Sequence, residues 1–246
     1  MDELKIGSSA SVKVPGVKAF PVRMECKLRD VLEIGDGKTM LLDVFRSFDP
    51  IKTGPRQLYC LLTGAVVPRP IAWVSTMNHQ GITNLAPFSF FNVVSVTPPI
   101  LSITQVFPKP GTDKDTLVSL KETKECVVNF VTSDLAETMN ATCKDYPYGV
   151  SEIDQLGIPT IESLCVKVPG VAASPIRMEC KLRDVLEIGN GKTILLDVMH
   201  FAVNDQVLLE DHSIDSAAAV ALSRMGRDDY ATTHSRFEMP RPPPYE

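Results

Sequence analysis

Six small polar residues, Ser75, Thr76, Asn84, Ser89, Asn92 and Ser95, interrupt the otherwise apolar stretch PRPIAWVSTMNHQGITNLAPFSFFNVVSVTPP at residues 68–99. Hydroxyls and amides among aromatic and aliphatic side chains suit a planar ligand edged with heteroatoms, because the rings supply contact area and a few polar groups supply orientation. The same groups commonly bond nearby backbone instead, and the stretch alone leaves both uses open. A second group lies beyond it. Lys114 and Thr116 fall at the start of a helix expected from about Asp113 to Thr123, where free N–H groups and the positive end of the helix dipole favour an anion. An ammonium and a hydroxyl there would receive a phosphate, or else belong to a solvated, capped helix start. The four histidines, His79, His200, His212 and His234, fall in a turn, a strand and two loops and read as structural or solvated. No general base is nominated.

Positioning these groups falls to a mixed β and α pattern. Residues 66–76 read as a strand, Asn78-His79-Gln80-Gly81 as a turn and residues 82–91 as the returning partner. Residues 100–107 alternate as a strand, and Thr112-x-x-Asp115 fits a capping box for the helix carrying Leu117 and Leu120. The β-branched run 126–132 reads as a strand, residues 134–143 and 215–225 as helices, and the Pro-rich end as neither. Many short strands with a few minor helices predict a closed or partly closed barrel. No G-x-G-x-x-G follows a strand, which argues against a doubly wound dinucleotide fold.

One feature is unusual for a barrel. Residues 12–44 and 166–198 match at all but five positions, namely Lys18/Ala172, Phe20/Ser174, Val22/Ile176, Asp36/Asn190 and Met40/Ile194. Each copy reads as a β-hairpin, turning at Gly35-Asp36-Gly37 or at Gly189-Asn190-Gly191. Two distant copies do not make a solenoid. The extra hairpin either packs outside the domain or on a partner subunit, exchanges with the second copy, or is an accident of gene structure. An ordered extra copy needs a sheet edge, because a lone strand pair cannot bury its apolar face.

Composition narrows the classes. With 44% hydrophobic and 22% charged residues the chain can build an ordinary core, and a net charge of −5 gives no basic footprint for nucleic acid. The six cysteines include no C-x-x-C pair and no histidine at zinc-ligand spacing, so reduced buried thiols and no metal are expected. The start of the chain lacks a signal-peptide pattern and no stretch reaches a membrane span, which predicts a cytoplasmic protein without membrane partners.

The motifs PRPIAWVST, TNLAPFSFFN-x-VS-x-x-PP, KDTL, VVN, MNAT, SP-x-x-MEC and GRDDYAT occur in this order over residues 48–240. In that order they resemble the flavin reductase-like family. The resemblance implies a mainly β, six-stranded Greek-key split barrel with minor helices, forming a homodimer with FMN near the subunit interface. Residues 1–47 would then be an N-terminal extension, 48–240 the FMN-binding domain and 241–246 a Pro-rich tail. By the same resemblance Trp73, Val74, Ser75 and Thr76 would border the flavin, and Ala86, Pro87, Phe88, Ser89 and Asn92 would follow the ring edge. Ser95, Lys114 and Thr116 would reach the phosphate, and Tyr230 would cover the pocket. Peptide N–H groups beside N5 and O4 would support the reduced ring. The implied activity is NAD(P)H-dependent flavin reduction, hydride passing from nicotinamide C4 to flavin N5, with NADH and NADPH not distinguished. Two alternatives stand beside it: an FMN electron-transfer or ferric reductase-like protein fed by a protein donor, and a non-catalytic binding protein on the same scaffold. In the tail, Pro242-Pro243-Pro244-Tyr245 also fits the short polyproline ligand of WW domains.

Overall fold

The computed structural model describes residues 25–34, 37–106, 113–242 and 245. Part of the first repeat copy (12–24), its Gly35-Asp36 turn, Thr112 of the expected capping box and Pro243-Pro244 of the tail lie outside the described residues. The chain divides into two units between Leu61 and Leu62. In the first, β1 (Glu25–Ile34) and β2 (Gly37–Phe45) pair antiparallel, with a register shift between Leu28 and Asp30. Helix α1 (Pro55–Ala65) follows and crosses the divide.

The second unit continues with β3 (Arg69–Pro70), β4 (Ala72–Met77), β5 (Thr83–Phe88), β6 (Phe91–Val96), β7 (Pro99–Val106), α2 (Asp115–Thr123) and β8 (Glu125–Phe130). After these come α3 (Ala136–Ala141), α4 (Glu152–Leu156), β9 (Thr160–Ile161), β10 (Gly170–Val171), β11 (Ile176–Ile188), β12 (Gly191–Val203), α5 (Ser216–Ala219), β13 (Leu222–Arg224) and β14 (Tyr230–Thr232). The main sheet has the order β5-β4-β8-β11-β12-β7-β6. It thus contains seven paired segments where six strands were expected. The reason is a bend at Ser89–Phe90 in the run 83–96: the first half pairs with β4 and the second with β7. At the bend the Thr104 N–H donates to the Phe90 carbonyl at 2.8 Å. The bent run carries the chain from one edge of the sheet to the other, and the sheet curls until β5 approaches β7. The result is a split barrel, mainly β with few helices.

The β11–β12 hairpin closes through Gly189 and Asn190, with Gly189 at φ 58° in the left-handed region where a side chain is strained. Alternate residues of β4 feed two cores. Ala72 and Val74 face a cluster with Phe88, Leu101, Ile103, Cys126, Val128, Cys180 and Ile194, and α2 joins that cluster through Leu117 and Leu120. Ile71 and Trp73 face another with Leu85, Val131, Met139, Ile153 and Leu222. Strand β4 is therefore buried on both faces, which explains its unbroken apolar run. Full burial of Leu117 and Leu120 holds α2 to the barrel, worth about 1.5–3 kcal/mol for each side chain.

Three helix expectations change. The helix placed at 215–225 stops at Ala219, because Val220 takes a left-handed conformation and Leu222–Arg224 pairs with β14 and β3 instead. Cross-strand pairing here outweighs an alanine-rich helix preference. The segment 134–143 is a 3-10 turn (Ser133–Leu135) leading into α3. Helix α2 begins at Asp115 with Lys114 in the N-cap position and no side-chain cap bond.

Candidate functional site

Much of the polar content of these motifs is spent on the scaffold. Trp73 is fully buried, and its Nε1 donates to Thr142 Oγ1 at 3.0 Å, while Thr142 donates to the Met139 carbonyl at 2.7 Å. The PRPIAWVST strand thereby fixes the end of α3 and the Cys143 that follows. Ser75 Oγ donates to the Pro169 carbonyl at 2.7 Å. Asn129 Nδ2 donates to the Trp73 carbonyl at 2.9 Å, and Asn129 Oδ1 accepts the Val171 N–H at 2.8 Å. Ser174 Oγ bonds the carbonyls of Phe130 and Ile176. Glu179 accepts the N–H groups of Leu164 and Cys165, pinning the loop before β10. Such buried groups cost stability unless paired.

Arg69, which sequence reasoning passed over, is another strut. It is buried, and its guanidinium donates to the carbonyls of Thr63, Val66 and Met225 while lying 5.9 Å from the Phe90 ring centroid. One side chain thus ties the end of α1 and the chain after β13 to the bend of the main sheet. A lone arginine between two prolines in an apolar run was the available signal.

A second set of residues converges on the start of α2. Thr116 Oγ1 accepts from Asn84 Nδ2 at 3.0 Å, and the same amide lies 3.5 Å from Thr76 Oγ1, so α2, β4 and β5 meet through three buried polar groups. Lys114 is exposed, with Nζ 5.6 Å from the Phe88 ring centroid. Among the described residues Lys114 has no carboxylate within ion-pair distance. Neighbouring Asp113 is instead taken by Lys121 and Lys192, whose hydrogen bonds hold its carboxyl below the usual range. Ala86, Pro87 and Ser89 are half-buried along β5 and the bend.

Arg224 and Tyr230 face each other across the β13–β14 pair. The Arg224 guanidinium lies 4.5 Å from the Tyr230 ring centroid and also bonds the Tyr230 hydroxyl and the Arg227 carbonyl. Burial pushes the Cys143 thiol up, and the charges of Arg224 and Lys114 both pull against that. Both cations therefore act on Cys143, which follows α3. Arg224 was not among the sequence candidates. Val74 is packed in the barrel core. Asn92 is exposed and Ser95 half-buried on β6, which the chain reaches from β5 through the bend.

On the other side of β5, Glu152 Oε2 accepts the Leu85 N–H at 2.9 Å. Burial pushes the Glu152 carboxyl up, opposed by that N–H and its own, and the Asp115 charge adds to the rise. A cavity of about 690 Å³ lies elsewhere, lined by Thr132, Ser174, Arg177, Phe201, Asn204 and Gln206 among others. It contains none of the sequence-predicted residues. The α2 start is the better candidate, because a cation without a carboxylate partner among the described residues, the positive end of a helix and a half-buried strand edge meet there. Among the described residues no cluster of metal-ligating side chains occurs, and no helix is long and apolar enough to cross a membrane.

Comparison with known proteins places this geometry. The flavin reductase like domain matches residues 63–216. A protein of Halalkalibacterium halodurans is 36% identical over 200 residues, covering 79% of this chain and 95% of its own length. The crystal structure of nitrilotriacetate monooxygenase component B from Bacillus cereus superposes with a TM-score of 0.76 at 32% identity, covering 80% of this chain and 100% of that one. Pseudomonas fluorescens 2-nitrobenzoate 2-nitroreductase NbaA gives a TM-score of 0.73 at 28% identity, covering 80% and 96%.

Proposed function

The chain belongs to the flavin reductase-like family, and from that premise we propose that it is an FMN-binding oxidoreductase that accepts hydride from NADH or NADPH. The observation that carries the reading is Lys114, a cation without a carboxylate partner at the N-cap of α2, beside Phe88 of the NLAPFS segment and near Arg224. Those donors fit FMN. A phosphate needs cations and peptide N–H groups, which α2 and Lys114 offer, and a flat ring needs a half-buried ledge, which Ala86, Pro87 and Ser89 offer. The names of the two similar solved proteins, a monooxygenase component and a nitroreductase, support redox chemistry.

Bound FMN would supply the hydride acceptor, and the protein would bind, orient and shield it. Lys114 and the first turn of α2 would hold the phosphate, with Arg224 adding charge from the far side. Thr76, Asn84 and Thr116 would fix α2 against β5, so that the phosphate site and the ring ledge keep their spacing. Along the outer edge of β5 the Leu85 N–H is taken by Glu152 and Pro87 has none. Ser89 is the next residue of that parity and would offer its N–H to the ring edge. Trp73 would act by positioning Thr142 and Cys143, and Tyr230 would cover the pocket under the guanidinium of Arg224. The exposed valines Val93, Val94 and Val96 on β6 support a homodimer that covers them.

The test is steady-state oxidation of each nucleotide with and without added FMN. Consumption of NADH or NADPH that depends on FMN is expected. No consumption of either in the presence of retained FMN would favour the reading in which a protein donates the electrons.

A further inference from the structure

Cys126 on β8 and Cys180 on β11 are directly opposite partners in an unshifted antiparallel register that runs from Arg177↔Asn129 to Lys181↔Glu125. Both are fully buried in the barrel core, in the cluster that also holds Leu117 and Leu120 of α2. Both belong to one core cluster on the same face of the sheet, and the Cys180 thiol donates to the Met178 carbonyl at 3.4 Å. The two cysteines are therefore direct cross-strand neighbours. Two residues along, the Leu182 N–H donates to the Lys124 carbonyl at 2.8 Å. Hydrogen-bonded and non-hydrogen-bonded pairs alternate along an antiparallel ladder, so Cys126 and Cys180 also form a hydrogen-bonded pair, whose Cα atoms lie about 5.5 Å apart. That separation falls within the range of about 4.4–6.8 Å that a disulfide spans.

We propose that Cys126 and Cys180 form a buried dithiol that a hydroperoxide closes to a cross-strand disulfide, making the barrel core a reversible redox site. One sulfur takes an oxygen from the peroxide and becomes a sulfenic acid, and the first water leaves. The second sulfur then attacks the first, the S–S bond forms as the S–O bond breaks, and the second water leaves. Two thiols lose two hydrogens and two electrons in all, and the peroxide is reduced to water. The steps need no group from the flavin site, so the proposal stands apart from the proposed function. Burial sets its pace: the exposed cysteines Cys60, Cys143 and Cys165 react first, and the core pair reacts through local opening of the barrel.

The full chain tests this directly. Exposed thiols are first blocked with iodoacetamide under native conditions; the protein is then treated with hydrogen peroxide, denatured, labelled with a second alkylating reagent and mapped by mass spectrometry without reduction. The result expected is a peptide pair linked through Cys126 and Cys180, lighter by two hydrogens, which dithiothreitol returns to two free thiols. Three outcomes overturn the proposal. They are recovery of both residues as separate thiols under peroxide that fully oxidises the exposed cysteines of an unblocked sample, conversion of either to a sulfonic acid with no linked peptide, and a bridge from Cys126 to Cys26, the counterpart of Cys180 in the N-terminal copy.

Discussion

Replacing Lys114 by alanine should separate the phosphate of FMN from its ring. The side chain is exposed and without a carboxylate partner, so its loss removes an ammonium from the α2 start and leaves no buried charge behind. A charge-assisted hydrogen bond to a phosphate is worth about 1.5–3 kcal/mol. At about 1.4 kcal/mol per tenfold change this corresponds to a loss in FMN affinity of roughly 10- to 150-fold. Exposure and physiological salt screen the ammonium, which places the expectation near the lower end, about tenfold. Binding should not vanish, because the first turn of α2 and Arg224 remain. Riboflavin lacks the phosphate, and the contact between Lys114 and Phe88 lies within the protein and is lost from the free and bound forms alike, so riboflavin affinity should barely change. Titration of wild type, Lys114→Ala and Lys114→Arg with both flavins, followed by flavin fluorescence, reads the difference. The arginine variant should retain most of the FMN affinity. Equal losses for FMN and riboflavin in Lys114→Ala, or no loss for FMN, would refute the placement of the phosphate.

Three further outcomes follow from other parts of the molecule. Burial raises the Glu179 carboxyl, but the N–H groups of Leu164, Cys165 and Val166 together with His200 outweigh it and hold the carboxyl below its ordinary 4.5. Its stabilisation is therefore present above that pH and lost as the pH falls through the folded-state value. Glu179→Gln should lower the melting temperature at pH 7 and converge with wild type in acid, and a gap that stays constant with pH contradicts the assignment. A chain starting at Phe48 keeps α1 and the carbonyls that bind Arg69, so it should fold, dimerise and hold FMN; a soluble, folded product unable to retain FMN would make the N-terminal hairpin part of the site. Deleting residues 241–246 should leave flavin content unchanged, and loss of bound FMN on that deletion would show that the tail closes the pocket.

Strand order and barrel curvature were only partly legible in the residues. Alternation and β-branching located β7, β8 and the β11–β12 hairpin, because those signals depend on local periodicity. The bend at Ser89–Phe90 was not legible, since SFF reads as strand in either direction and only the separate partners β4 and β7 divide the run. Leu222–Arg224 was hidden by the alanines before it, for the competing pairing comes from β14 and from β3, far away in sequence. Among the polar candidates, Lys114, Thr116 and Phe88 are brought together because a helix start and a strand end are local features. Ser75 and Trp73 carry the same chemistry on paper, yet their partners, Pro169 and Thr142, are long-range, and burial turns their donors inward. Arg224 escaped notice for a similar reason, as its place near Lys114 depends on how β13 returns to the sheet.

The most direct measurement is an anaerobic titration of the FMN-loaded full-length protein with NADH and, separately, with NADPH, followed by the visible flavin absorption. Bleaching of the bound flavin by one equivalent of one nucleotide is the result expected. FMN that stays oxidised with both nucleotides, yet bleaches with dithionite, would contradict the proposed hydride transfer.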